Sequence, residues 1–169
     1  MKRRIFLLGA VSTFLSACAS KFQRYTGPEV TRILVYKDTR RMYLLSGSET
    51  LRSYDVQLGF TARGHKQFEG DGKTPEGDYL IDRRNPKSAF HLSLGISYPN
   101  AEDRAYAASQ GKSPGGDIFI HGRPNARVDW RRAKKRGEDW TAGCISVKNR
   151  EIEEIYAMVK NGTVISIYP

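Results

Sequence analysis

Apolar residues recur at short, strand-like intervals in the first half of the chain and take a helical period in only two later stretches. Residues 31–36, 41–45 and 51–58 are short runs of β-branched, aromatic and leucine side chains. Lys37-Asp38-Thr39-Arg40 and Ser46-Gly47-Ser48-Glu49 separate them, a spacing that predicts antiparallel hairpins. Residues 70–77, with Gly70-Asp71-Gly72 and Thr74-Pro75-Glu76-Gly77, read as a loop because glycine and proline interrupt regular pairing. A strand resumes over 77–81. Residues 101–110 fit a helix opened by Pro99-Asn100, and Gly115-Gly116 closes that region. A further strand is expected over 117–121, where Ile118, Phe119 and Ile120 deliver His121 at its end. Ile152, Ile155, Tyr156 and Val159 fall at helical spacing, so a helix is expected from Asn149 or Arg150 to Lys160. Asn161-Gly162 stops it, and 163–168 forms a terminal strand. The pattern predicts a mainly β domain with one or two helices packed on it.

The first seventeen residues stand apart. Lys2, Arg3 and Arg4 precede an apolar stretch over 5–15, too short for a comfortable bilayer span. Leu15-Ser16-Ala17-Cys18 resembles a bacterial lipobox, which implies cleavage before Cys18 and lipidation of that residue. Residues 1–17 are therefore read as a lipoprotein signal peptide and 18–29 as a polar tether. Arg3-Arg4-Ile5-Phe6-Leu7 also resembles a twin-arginine signal, so the export route stays open. Resemblance to sorting signals favours the outer membrane, because Ala19 and not Asp follows Cys18. The remainder of the 169-residue chain suits one domain with a single core.

The formal charge of the whole chain is +10, and only Lys2, Arg3 and Arg4 leave with the leader. A basic surface favours an anionic partner. Arg127, Arg131, Arg132, Lys134, Lys135 and Arg136 cluster in one stretch, read either as an anion-binding patch or as a solvated loop. Export disfavours nucleic acid and favours a carboxylate-bearing wall polymer or an anionic membrane face. Two cysteines and three scattered histidines offer no metal-ligand spacing, and no cofactor is expected.

With Cys18 assigned to the lipobox, Cys144 is the one remaining thiol. An unpaired thiol in an exported chain is inert, intermolecular or reactive. His121 supplies an imidazole, and base plus thiol are the minimal set for covalent acyl transfer. A free thiol is only a few per cent ionised at neutral pH, so an adjacent base raises its nucleophilicity. His65, in Arg63-Gly64-His65-Lys66, reads as a solvated side chain. His91, in Phe90-His91-Leu92, has two readings: a strand or core histidine, or a substrate contact near the cleft. Thr141 is either a hydrogen-bonding site residue or part of a turn. Trp130 and Trp140 are either groove walls or ordinary packing. Arg123 suits a carboxylate partner and equally a solvated position.

Gly72-Lys73-Thr74-Pro75-Glu76-Gly77-Asp78-Tyr79, His121-Gly122 and Thr141-Ala142-Gly143-Cys144-Ile145 together resemble the L,D-transpeptidase (YkuD-type) catalytic domain. The similarity extends over residues 30–169 and includes Ile96-Ser97-Tyr98-Pro99-Asn100. It implies a β-sandwich-like catalytic domain there. It also implies Cys144 as nucleophile, His121 as base and then acid, and the Gly122 carbonyl as the group orienting the imidazole. An oxyanion hole from the Gly143 and Cys144 amides follows from the same resemblance. Two departures stand out. The 22 residues between His121 and Cys144 exceed the family's usual interval. Ser146 stands where many members carry Arg or Asn, with Lys148 or Asn149 as replacements. Thr141, Ser146, Arg123 and His91 are thus the substrate-binding candidates.

The implied activity is that of a periplasmic cysteine acyltransferase on peptidoglycan. A Cys144 thioacyl intermediate would form at the diaminopimelate–D-Ala bond of a tetrapeptide stem. Its transfer to an amine would give a 3→3 cross-link or attach a protein to the wall. Water as acceptor would make the site a hydrolase, either an L,D-carboxypeptidase or an amidase releasing a wall-linked lipoprotein. A non-catalytic wall-binding lipoprotein is the reading from another class, and the intact His-Gly and Gly-Cys pairs argue against it. The expected partners are stem peptides, a wall-attached lipoprotein, and a membrane reached through lipid on Cys18.

Overall fold

A computed structural model of the protein describes residues 20–169. The segment read as a signal peptide, with its lipobox-like end and Cys18, lies outside the described residues. β1 (Arg32–Tyr36), β2 (Arg41–Ser46) and β3 (Glu49–Asp55) form the expected antiparallel meander. Side-chain alternation sends Ile33, Val35, Met42 and Leu44 into the core and turns their neighbours outward. β4 (Gly77–Asn85), β5 (Ser93–Ile96) and β6 (Phe119–His121) pair antiparallel in turn. β7 (Ile145–Ser146) runs parallel to β6, and β8 (Val164–Tyr168) is inserted between β1 and β4. The order across the sheet is β3-β2-β1-β8-β4-β5-β6-β7.

The two ends of that order meet. Just past β3, Gln57 bridges Ser146 and Gly59 bridges Thr141. The sheet therefore curls around one core, the sandwich-like form expected from the sequence. This crossing also explains why β3 is shorter than the run over 51–58: from Val56 onward the chain leaves β2 and reaches toward β7.

Among the described residues three helices decorate the sheet, where one or two were expected. α1 (Ala101–Ser109) opens with a reciprocal cap. Asn100 Oδ1 accepts from the Asp103 amide at 2.9 Å, and Asp103 Oδ2 accepts from the Asn100 amide at 2.9 Å. α2 (Arg127–Arg136) is the stretch whose alternatives were an anion-binding patch and a solvated loop. It buries only Ala133, so no apolar stripe marks it in the sequence. Asp129 in its first turn and Lys134, Lys135 and Arg136 in its last suit the helix dipole. α3 (Asn149–Met158) buries Ile152, Ile155, Tyr156 and Met158 and packs on β5 and β6. Each such side chain contributes about 1.5–3 kcal/mol.

β5 and β7 have no counterpart among the predicted strands. β5 is buried at all of its positions and shows no alternation, and β7 is a two-residue strand. The described part of the segment read as a polar tether is laid against the domain. Lys21 Nζ donates to the carbonyls of Pro86 (2.7 Å) and His91 (3.0 Å), and the Phe22 ring lies 6.3 Å from that of Tyr156. Among the described residues no helix is long and apolar enough to cross a membrane. None of their His, Cys, Asp and Glu side chains form a group of three or more placed to hold a metal ion.

Candidate active site

Parallel pairing sets His121 of β6 opposite Ser146 of β7. Cys144 lies one residue before β7, beside the end of β6. Its side chain and that of His121 line one cavity of about 430 Å³, together with Asn85, Ser88, Phe90 and Phe119. The local folding is that of an apolar strand, Phe119-Ile120, whose hydrophobic burial carries a polar residue inward at its end.

His121 is 3% exposed. The Phe90 ring lies 4.5 Å from its centroid, and Trp140 packs edge-on at 5.7 Å. Nδ1 is 2.6 Å from the carbonyl oxygen of Gly122. A carbonyl only accepts, so Nδ1 carries the proton of the neutral ring and Nε2 keeps the lone pair. Burial pushes the imidazole pKa down to about 4, against the opposing pull of the Gly122 carbonyl.

Cys144 Sγ donates to the Asp117 carbonyl oxygen at 3.5 Å. Burial pushes the thiol's pKa up. The Phe119 amide opposes that rise, the Asp117 charge adds to it, and Lys66 opposes it weakly. At neutral pH the resting pair is therefore a thiol and a neutral imidazole, not an ion pair. That is the protonation state a general base requires.

The family model of the YkuD L,D-transpeptidase catalytic domain matches residues 30–167, which include this pair. The chain belongs to the L,D-transpeptidase catalytic domain family. A curated relative from Escherichia coli (strain K12), named "Putative L,D-transpeptidase YafK", is 30% identical over 176 residues, covering 96% of this chain and 63% of the relative. Among solved structures, the helical cell shape determining protein Pgp2 of Campylobacter jejuni is similar at TM-score 0.59 and 28% identity. That likeness covers 85% of this chain and 49% of Pgp2. An L,D-transpeptidase from Mycobacterium smegmatis shares the fold at TM-score 0.53 and 15% identity, over 85% of this chain and 60% of that one. The chain spans less than two thirds of the length of each of these three.

In this L,D-transpeptidase domain Cys144 sits on a tight turn. Gly143 has φ +134°, and its amide donates to Thr141 Oγ1 at 3.1 Å. The same hydroxyl donates to the Cys144 carbonyl at 2.7 Å. Thr141, buried, thus shapes the turn from within the site. Trp140 is fixed by its indole N–H donating to Gln57 Oε1 at 2.8 Å. Its neighbour Asp139 accepts from the Leu58 amide at 2.9 Å and pairs with Arg40 at 2.7 Å. Trp130 of α2 packs edge-on against Trp140, and the Arg123 guanidinium lies 4.6 Å over the Trp130 ring. Arg123, Trp130, Ser146 and Lys148 line a second depression of about 320 Å³. Asn149 is bound elsewhere, its Oδ1 accepting from the Arg123 amide at 2.8 Å.

His91 is not brought to the thiol cavity. Its Nε2 lies 2.6 Å from Glu153 of α3, so it ties the 86–91 loop to the helix. The residue that reaches the site is its neighbour Phe90, which no titratable-group search would select. His65 is not the solvated side chain expected. Its Nδ1 accepts from the Glu76 amide at 2.9 Å and its Nε2 lies 2.9 Å from Asp103, joining the Thr-Pro-Glu-Gly loop to α1. Asp117 also escaped sequence reasoning, because its contact with Cys144 spans 27 positions.

Proposed function

We propose that this domain is a cysteine acyltransferase acting on peptidoglycan, the polymer whose stem peptides its family modifies. The observation that carries the reading is His121 and Cys144 in one cavity, with Nδ1 committed to Gly122 and Nε2 left as the proton acceptor. His121 Nε2 would take the thiol proton as Sγ attacks the carbonyl carbon between diaminopimelate and D-Ala. The tetrahedral oxyanion would collapse as the imidazolium protonates the D-Ala amine, leaving a Cys144 thioester. An amine would then attack that carbonyl, lose its proton to His121 and release the thiol, giving a 3→3 cross-link or a wall-attached protein. Water in place of the amine would give hydrolysis with the same atoms. For the Gly143 amide to serve the oxyanion, it would have to exchange its bond to Thr141 for one to the substrate.

The basic α2, rooted on Trp140 through Trp130, supports an anionic substrate such as a carboxylate-bearing stem. The lipobox-like Leu15-Ser16-Ala17-Cys18 supports a periplasmic lipoprotein held at the outer membrane. Protein lacking residues 1–18, incubated with disaccharide-tetrapeptides and read by mass spectrometry, tests the chemistry. Loss of D-Ala with cross-linked or trimmed product is expected, and Cys144→Ala should abolish it. Full turnover by Cys144→Ala would refute the mechanism. Labelled fatty acid incorporated in cells by the wild type and not by Cys18→Ala tests the anchor.

A further inference from the structure

An ion pair at the rim of the thiol cavity takes no part in the chemistry above. The Asp117 carboxylate, 83% exposed, lies 3.3 Å from Arg83 Nη1. The backbone of Asp117 touches the nucleophile, since its carbonyl accepts from Cys144 Sγ. Its φ is +54°, a left-handed conformation uncommon outside glycine, next to Gly115-Gly116. Asp117 belongs to two walls at once. One is the cavity holding Cys144, and the other is a polar depression of about 620 Å³ that also includes Glu69, Asp82, Arg83, Tyr98 and Arg104.

Arg83 is placed by the sheet. The β4–β5 register slips between Ile81 and Arg83, a bulge that re-aims the side chain. The register partner of Arg83 is Gly95, and a β-carbon on Gly95 would lie 2.8 Å from Arg83 Nε and 2.7 Å from Asp82 Oδ1. A larger residue would therefore evict the guanidinium. It lies 4.9 Å over the ring of Phe119, which also lines the thiol cavity, while Asp82 Oδ1 holds Nε at 3.3 Å. Exposed pairs of this kind contribute little to stability. A bulge, a glycine and a left-handed aspartate are more than such a pair needs.

We propose that Arg83 and Asp117 bind a zwitterionic amino-acid centre, one carbon bearing both ammonium and carboxylate, presented beside the scissile bond. The inference rests on the stem-peptide reading of the site and names its specificity-determining residues. The guanidinium fork matches the carboxylate, and the Asp117 carboxylate takes the ammonium. One internal ion pair is exchanged for two intermolecular ones with no net change in charge. The free end of a diaminopimelate side chain is such a centre. A lysine side chain keeps the ammonium and lacks the carboxylate.

Binding is measured by calorimetry in the Cys144→Ala background, so that the ligand is not consumed. The probes are disaccharide-tetrapeptides carrying diaminopimelate, diaminopimelate amidated at its free carboxylate, or lysine. Arg83→Gln should weaken the diaminopimelate stem about tenfold and leave the amidated and lysine stems unchanged. Asp117→Asn, which tolerates the left-handed backbone, should weaken all three. Turnover with Cys144 restored should show the Arg83→Gln effect in KM and not in kcat. An unchanged affinity, or equal loss on all three stems, would overturn the proposal. Arg83-dependent binding without wild-type turnover would instead overturn the acyltransferase reading and leave this one standing.

Discussion

A β-carbon on Gly143 would sit 2.7 Å from the carbonyl oxygen of Lys73. The loop carrying Thr74-Pro75-Glu76-Gly77 is thus laid directly against the turn that bears Cys144. Thr74, fully buried, accepts the Gly59 amide at 3.1 Å through its hydroxyl and Lys37 Nζ at 3.0 Å through its carbonyl. Lys37 in turn pairs with Glu76 at 2.7 Å. The motif that marks the family in sequence acts here as a prop under Cys144.

Gly143→Ala should therefore fail on two counts, the close approach and the φ of +134°. We expect a loss of about 2–4 kcal/mol in urea unfolding, with slowed alkylation of Cys144 in the fraction that folds. An unchanged unfolding midpoint would show that the loop is not held against the turn.

The imidazole of His121, held at a pKa of about 4, should place the acid limb of kcat/KM near pH 4 and not near 6.5. The linkage has a definite sign. Between these values the unfolded chain binds the extra proton, so the contribution to stability is whole above pH 6.5 and is lost as pH falls through 4. It is on the order of 3 kcal/mol. Urea unfolding of the wild type should show this slope, and His121→Gln should lack it. An acid limb at 6.5 would mean the aromatic box of Phe90 and Trp140 does not exclude water.

Arg131 and Lys135 are exposed on α2. Reversing both to glutamate should raise KM for an anionic stem about three- to tenfold at low salt, with kcat kept. The difference should shrink by 0.5 M salt, where the Debye length falls below about 5 Å. A KM indifferent to both charge and salt would reduce α2 to a solubilising surface.

Lys21 bonds the carbonyls at both ends of the 86–91 loop, and Ser88, Ala89 and Phe90 of that loop line the thiol cavity. Lys21→Ala should speed hydrogen exchange of 86–91 and lower kcat/KM a few-fold, with about 1 kcal/mol or less lost in global stability. Unaltered exchange in that loop would detach the tether from the site.

The hairpins over the first strands and the amphipathic α3 were legible because each is written in local periodicity, and α1 because Pro99-Asn100 marks its start. Ile152, Ile155 and Tyr156 fall on one helical face whatever surrounds them. α2 was not legible, since Arg127-Val128-Asp129-Trp130-Arg131-Arg132 carries no apolar stripe and its helix leans on one alanine and an aromatic contact. β5 was missed for the opposite reason: covered on both faces, Ser93-Leu94-Gly95-Ile96 has no alternation to read. His91 drew attention that belonged to Phe90, because titratable chemistry is visible in a sequence and a ring stacked on another ring is not.

The sequence by itself determined the order of the motifs, the histidine at the end of an apolar strand, the thiol that follows Gly143 and the meander that begins the fold. Only the tertiary structure decided that Cys144 and His121 share a cavity and that Asp117 and Arg83 stand at the rim. The reason is range. Periodicity and capping act within a few residues, whereas the site is assembled by the β6–β7 register and by burial. Both join positions more than twenty apart, and burial then sets the protonation states that isolated residues would not have.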